Sequence, residues 1–128
     1  MTNVKIFTSV IIVLILGVIA TVLLRGESTP PGPGKYDQFA QCLKDKGAVF
    51  YGAFWCSHCI AQKKLFGSSA KLLPYVECST ADASGQAQIC TDKKVEGYPT
   101  WEFADGSRVS GELSLEKLAE KTSCVLPQ

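Results

Sequence analysis

The sequence predicts an α/β domain with a central mixed β-sheet and flanking helices, preceded by a single transmembrane helix. Three observations lead to this fold class. Strand-like and helical patterns alternate along the chain, a hairpin cue stands at Asp105-Gly106, and an uncharged apolar run lies near the N-terminus. The predicted elements are a helix at 36–46, a strand at 48–55, a helix at 57–66, a strand at 75–78, a helix at 86–95, hairpin strands at 100–104 and 108–110, and a helix at 115–122.

The strand predicted at 48–55 is an unbroken apolar run, AVFYGAFW, which is typical of a central strand covered on both faces. On the helix that follows, Ile60, Leu65 and the aliphatic stem of Lys64 are expected to cover the sheet. The Lys63-Lys64 pair is expected to be a solvated helix face rather than a binding patch.

The N-terminal apolar run covers residues 6–24 and contains no charge. Nineteen helical residues span roughly 28 Å, close to the roughly 30 Å of a bilayer's hydrocarbon core. A cleaved signal peptide is the main alternative, but its apolar region is usually about 7–15 residues long and ends in a small-x-small site. This run is longer and ends in Val-Leu-Leu-Arg, so the sequence predicts an uncleaved anchor at 1–25.

The prolines and glycines of GESTPPGPG predict a linker at 26–34, which leaves residues 35–128 for the folded domain. The whole chain has a formal net charge of +1, so it lacks the excess of basic residues that a nucleic-acid partner would favour. Lys5 precedes the apolar run, whereas Arg25 follows it and is offset by Glu27. This charge distribution favours a cytoplasmic N-terminus.

Six cysteines in so short a chain suggest a compartment that permits disulfides. Together with the charge distribution, they predict a single-pass protein of the cell membrane. Its catalytic domain is expected on the extracytoplasmic side, either periplasmic or extracellular.

The motif Cys56-Ser57-His58-Cys59 follows the predicted buried strand and opens a helix. A helix N-terminus presents unpaired N–H groups and partial positive charge, which stabilise a sulfur anion. His58 adds a second source of stabilisation for that anion. We therefore predict that Cys56 is the attacking thiol and that Cys59, one turn later, is the resolving thiol.

A CxxC motif can also form an inert disulfide or half of a zinc site. Zinc would need a second CxxC or a Cys/His pair at defined spacing, which Cys78 and Cys90 do not supply. Haem attachment would need a histidine where Ile60 stands. The sequence thus predicts no metal and no cofactor besides the redox-active Cys56–Cys59 disulfide.

The segment Gly97-Tyr98-Pro99-Thr100 precedes a predicted strand, where a proline removes a ladder donor. A cis Tyr98–Pro99 bond would direct the Tyr98 backbone toward the CxxC motif, where an extended substrate could pair with it. A trans proline in an ordinary loop is the alternative, because cis bonds are about 5–6% of X–Pro bonds in folded proteins. Trp55, Tyr98 and Pro99 are the expected substrate-binding residues.

Four motifs in register resemble the thioredoxin-like domain associated with bacterial vitamin K epoxide reductase homologues. The motifs are YGAFWCSHC at 51–59, QKKLFG at 62–67, PYVEC at 74–78 and GYPTW at 97–101. The resemblance implies a thioredoxin fold, Cys56 and Cys59 as the redox pair, and Pro99 as a cis-proline. It also implies that the domain takes electrons from secreted proteins and passes them to a membrane enzyme that reduces quinone.

The chain departs from this family in three ways. The multi-helix reductase module is absent, so such a partner is expected to be a separate chain. Ser57 stands where the family often has proline, which leaves the redox potential open. Thioredoxins in general carry a buried acid six residues before the first cysteine of the motif, and here that residue is Phe50.

For the remaining cysteines, the resemblance suggests a bond between Cys78 and Cys90. Parity favours a bond between Cys42 and Cys124, with free buried thiols as the alternative. The function predicted overall is an extracytoplasmic thiol–disulfide oxidoreductase that exchanges disulfides with secreted or membrane proteins. A dithiol reductase for cytochrome maturation and a non-catalytic adaptor are the alternatives.

Overall fold

The computed structural model describes residues 1–24 and 32–128, and the chain divides into two compact units, Met1–Pro31 and Gly32–Gln128. Of the linker predicted at 26–34, all but residues 32–34 lies outside the described residues. Arg25, the last residue of the predicted anchor, also lies outside them.

The described residues of the first unit, 1–24, form helix α1 (Thr2–Leu24), which is long and apolar enough to cross a bilayer. Its candidate span, Thr2–Val22, has a mean hydropathy of 2.5. The hydroxyls of Thr8 and Thr21 donate to backbone carbonyls three or four residues earlier, at 2.8–3.0 Å. Because these polar groups are satisfied within the helix, they add little to the cost of placing it in hydrocarbon.

The second unit is a four-stranded mixed sheet with flanking helices, so the predicted fold class is confirmed. The strand order is β2-β1-β3-β4, in which β1 runs parallel to β2 and antiparallel to β3, and β4 pairs with β3. The elements are α2 (Asp37–Asp45), β1 (Val49–Gly52), α3 (Ser57–Leu65), a 3-10 turn (Gly67–Leu72), β2 (Tyr75–Glu77), α4 (Gln88–Asp92), β3 (Thr100–Glu102), β4 (Arg108–Ser110) and α5 (Leu115–Thr122).

Several elements are shorter than the sequence predicts, and the strand predicted at 100–104 ends at Glu102. The first strand ends at Gly52 because the chain turns there, with the Cys56 N–H donating to the Ala53 carbonyl at 3.0 Å. The helix predicted at 86–95 begins at Gln88, since Gln86 forms a β-bridge with Ser79 instead.

Strand β1 is covered on both faces, which explains its unalternating apolar sequence. Phe50 belongs to the main core, where its ring stacks on Trp101 at a centroid distance of 4.8 Å. The next residue, Tyr51, points to the opposite face and packs in a smaller cluster with Val95. This central strand carries the chain directly into the CxxC motif.

Helix α3 turns a different face to the core than the sequence pattern suggests. Ile60 and Leu65 are more than 40% exposed and Lys64 is exposed, so the prediction that they cover the sheet is wrong. Cys59 and Gln62 are buried instead. With Cys56 as the N-cap, the Cys59 sulfur faces inward, and Gln62, three residues later, follows on the same face.

Two disulfides lie in the domain. Cys42 on α2 is bonded to Cys124 just after α5, with a Cα–Cα distance of 5.9 Å. Cys78, after β2, is bonded to Cys90 on α4, with a Cα–Cα distance of 5.5 Å. The two bonds close chain segments of very different length, with sequence separations of 82 and 12.

Because a longer closed loop loses more entropy in the unfolded chain, the two bonds should differ in their effect on stability. We expect Cys42→Ser/Cys124→Ser to lower the free energy of unfolding by about 4–5 kcal/mol and Cys78→Ser/Cys90→Ser by about 3 kcal/mol. Urea unfolding of the full chain in detergent, followed by tryptophan fluorescence, measures both. A larger loss from the shorter loop would contradict this entropic account of the two bonds.

Candidate active site

Cys56 occupies the N-cap of α3, in extended backbone conformation with φ −74° and ψ 117°. Its sulfur accepts a hydrogen bond from the Cys59 backbone N–H at 3.2 Å. One of the N–H groups that a helix start leaves unpaired is therefore directed at the sulfur. The partial positive charge of the helix start favours the anionic form of a group in this position.

The two thiols of the motif are free, but their surroundings differ. The Cys56 side chain lies at the edge of the core with 8% exposure, whereas Cys59 is 1% exposed. Burial, and next the hydrogen bond with Cys56, raise the pKa of the Cys59 thiol to about 12. Cys59 is therefore protonated at neutral pH, and its ionisation requires stabilisation by neighbouring groups.

The segment predicted to bind substrate lies beside the Cys56 sulfur. The Tyr98–Pro99 peptide bond is cis, and Pro99 is fully buried. The Cys56 thiol donates to the Tyr98 carbonyl at 3.7 Å. The Tyr98 hydroxyl in turn accepts a hydrogen bond from Gln86 Nε2 at 2.6 Å. The Tyr98 carbonyl and the Cys56 sulfur thus lie side by side.

Trp55 precedes the first cysteine of the motif and is 54% exposed. Its indole N–H donates to Ser79 Oγ at 2.8 Å, and its ring contacts the Tyr98 ring edge-to-face at 6.1 Å. Phe54 is also half-exposed, although the sequence pattern assigned it to the buried strand. These rings form an apolar margin to the site.

His58 is solvent-exposed and forms a hydrogen bond through Nδ1 to Glu112 Oε1 at 2.6 Å. Glu112 lies in the loop before α5, and its part in the site is not signalled by the sequence because 54 residues separate it from His58. This hydrogen bond joins His58, which lies between the two cysteines, to the loop before α5.

Gln62 is a second residue that the sequence pattern missed. It is fully buried on α3 and exchanges two hydrogen bonds with the Leu113 backbone, at 2.7 and 2.9 Å. Its carbonyl oxygen also accepts the Trp101 indole N–H at 3.3 Å. Gln62 thus ties the helix of the CxxC motif to the loop that carries Glu112.

Glu77, at the end of β2, holds the loop before the motif. One carboxylate oxygen accepts the backbone N–H groups of Phe54 at 3.2 Å and Ser79 at 2.9 Å. The other oxygen accepts the Tyr75 hydroxyl at 2.7 Å.

Among residues 1–24 and 32–128, no group of three His, Cys, Asp or Glu side chains is arranged to hold a metal ion.

Comparison with known proteins assigns the domain to a family. Residues 33–123 match the family model described as thioredoxin, so the chain belongs to the thioredoxin family. The predicted membership of the thioredoxin superfamily is thus confirmed.

A curated relative is the thiol-disulfide oxidoreductase LTO1 of Arabidopsis thaliana, which is 46% identical over 93 residues. The match covers 70% of this chain and 24% of LTO1, so the chain spans about a quarter of that protein. The name of this relative supports the enzyme class predicted from the CxxC motif. The association with vitamin K epoxide reductase homologues stays a prediction.

The hydrogen bonds of the buried Gln62 amide are predicted to stabilise the packing of α3 against the loop before α5. Gln62→Leu would leave the Leu113 N–H and carbonyl and the Trp101 N–H without partners, so we expect a loss of about 2–4 kcal/mol in the free energy of unfolding. Gln41→Leu is the matched control, since Gln41 is exposed and bonds only its helix neighbour Asp45. Equal urea midpoints for the two variants would contradict the role assigned to Gln62.

Proposed function

We propose that the protein is a membrane-anchored thiol–disulfide oxidoreductase that exchanges disulfides with secreted or membrane proteins outside the cytoplasm. One observation carries the proposal. The two free thiols lie together at the start of α3, beside the Tyr98 carbonyl, in a domain whose other four cysteines are bonded. The thioredoxin family match and the name of the relative support it.

In this proposal Cys56 is the sulfur that exchanges with the client. When the Cys56–Cys59 disulfide oxidises a client, a client thiolate attacks the Cys56 sulfur and Cys59 leaves as a thiolate. A second client thiol, deprotonated by solvent, then attacks the client sulfur of the mixed disulfide and releases Cys56 as a thiolate. The client loses two electrons, and the CxxC pair gains them.

The exposure of the two sulfurs supports these roles, since Cys56 is nearer the surface than Cys59. An anionic sulfur at position 56 is favoured by the Cys59 N–H and the start of α3. His58, hydrogen-bonded to Glu112, is proposed as a second source of stabilisation for that anion. Trp55, Tyr98 and Pro99 are proposed to bind the client segment, through the exposed indole and the Tyr98 backbone.

Several observations support an extracytoplasmic position for the domain. Two disulfides outside the CxxC motif are typical of proteins in oxidising compartments. Helix α1 has the length and composition of a membrane span, and Lys5 favours a cytoplasmic N-terminus. We also propose that a vitamin K epoxide reductase-like membrane protein reoxidises the CxxC pair, on the strength of the four motifs at 51–59, 62–67, 74–78 and 97–101.

The reaction can be followed with a defined client. We expect the oxidised full chain, in detergent, to convert a reduced two-cysteine peptide to its disulfide, with one CxxC pair reduced for each disulfide bond formed in the peptide. The reduced Cys59→Ser variant, mixed with the oxidised peptide, should accumulate a mixed disulfide between Cys56 and the peptide, because Cys59 is no longer there to displace the peptide sulfur. Mass spectrometry of quenched samples measures each species.

The matched control is Cys56→Ser, which should form no adduct with the peptide. If Cys59→Ser forms adducts through other cysteines, or if the wild-type pair does not exchange with the peptide, the domain is an adaptor rather than an enzyme.

The membrane orientation has its own test. Alkaline phosphatase, which needs an oxidising compartment to become active, should be active when fused after Gln128, and a fluorescent protein that folds only in the cytoplasm should be dark there. The same reporters fused to the N-terminus should behave the opposite way. An active phosphatase at the N-terminus would reverse the topology.

A further inference from the structure

Lys63 lies one helical turn after Cys59 on α3 and is only partly exposed, whereas its neighbour Lys64 is exposed. The Lys63 ammonium lies over the ring of Tyr75, with Nζ 3.3 Å from the centroid. The prediction of two solvated lysines is therefore wrong for Lys63. A cation placed over an aromatic face is attracted by the ring quadrupole, and the attraction grows as the cation loses water.

Tyr75 is a rigid support for this ammonium. Its hydroxyl donates to Glu77, which the backbone N–H groups of Phe54 and Ser79 hold from the other side. Its ring packs edge-to-face on Phe50 at 5.1 Å. Burial, and next the hydrogen bond to Glu77, raise the pKa of the Tyr75 phenol, so it stays neutral.

Gly52 allows the Tyr75 ring and the Cys59 thiol to lie close together. A Cβ atom at position 52 would lie 2.8 Å from Tyr75 Cε2 and 3.1 Å from Cys59 Sγ. The tyrosine ring and the Cys59 sulfur therefore both lie against the same backbone position of β1, and only glycine leaves room for both. The Lys63 ammonium lies over the Tyr75 ring, and Lys63 belongs to the same helix as Cys59.

The titratable groups around Cys59 come from two elements. Cys56 and Lys63 act on it from α3, and Tyr75, whose hydroxyl donates to Glu77, approaches it from β2. Of these four, Lys63 carries the positive charge. Its ammonium opposes the burial and the Cys56 contact that raise the pKa of the Cys59 thiol.

We propose that Lys63 stabilises the thiolate of Cys59 during disulfide exchange, and that Tyr75 is a positioning residue that holds the ammonium beside it. This inference rests on the proposed function. When a mixed disulfide on Cys56 is resolved, Cys59 gives its proton to solvent, its sulfur bonds to Cys56, and the client leaves as a thiolate. In the oxidising direction Cys59 is itself the leaving thiolate. Negative charge develops on the same sulfur in both directions.

The test follows the two sulfurs separately. The full chain in detergent, with only the Cys56–Cys59 pair reduced, is mixed with a chromogenic aromatic disulfide. Attack by Cys56 releases one aromatic thiolate, and resolution by Cys59 releases the second. We expect Lys63→Met to slow the second phase about tenfold near neutral pH and to leave the first unchanged. Its pH profile should move to higher pH by about one unit, because a lost cation makes the thiol harder to ionise.

Matched variants distinguish the effect of the Lys63 charge from an effect of the substitution on folding. Lys64→Met removes a neighbouring charge and should leave both phases unchanged, and Lys63→Arg should retain the fast second phase. Tyr75→Leu removes the ring and should slow the second phase as Lys63→Met does, whereas Tyr75→Phe keeps the ring and should restore most of the rate. Thermal unfolding checks each variant, and Lys63→Gln replaces Lys63→Met if the latter does not fold.

Three outcomes would overturn the inference. The first is a second phase within twofold of wild type in Lys63→Met across the pH range. The second is an equal effect of Lys64→Met, which would indicate general surface charge. The third is a wild-type chain that lacks a second phase, which would remove the proposed function as well.

Discussion

The structure depends on one local constraint, the turn that carries the chain from β1 into α3 with Cys56 as the N-cap. The turn is closed by the Cys56 N–H bond to Ala53, and it directs the Cys59 N–H at the Cys56 sulfur. A buried strand on one side and a helix on the other leave this sulfur little freedom. Charge developing on it meets the Cys59 N–H and the dipole of the helix start, which are already oriented toward the sulfur.

The same turn makes the two cysteines unequal. It leaves Cys56 at the edge of the core and turns Cys59 inward, where burial raises the pKa of the thiol. A disulfide exchanger needs the inner thiolate to form and to leave, and Phe50 supplies no acid or base for that step. In the proposed role of Lys63, its ammonium on the Tyr75 ring stabilises the Cys59 thiolate by electrostatic attraction rather than by proton transfer.

Two polar side chains, the buried Gln62 and the half-buried Glu77, connect the site to distant parts of the domain. Gln62 ties α3 to the loop before α5, and Glu77 ties the end of β2 to the loop before the CxxC motif. Gln62 bonds to groups about 40 to 50 residues away, and Glu77 bonds to Phe54 as well as to its near neighbours Tyr75 and Ser79, so each fixes a geometry that apolar packing alone would leave loose. The two disulfides add a second, covalent restraint.

The sequence by itself determined the features that are encoded in neighbouring residues. The apolar run of α1, the buried strand at β1, the CxxC motif at a helix start and the GYPTW segment are local signals. The face of α3 that turns inward, the different surroundings of Lys63 and Lys64, and the partners Glu112 and Tyr75 were decided by the tertiary structure. These arise from packing between segments tens of residues apart, and no periodicity within one segment carries that information.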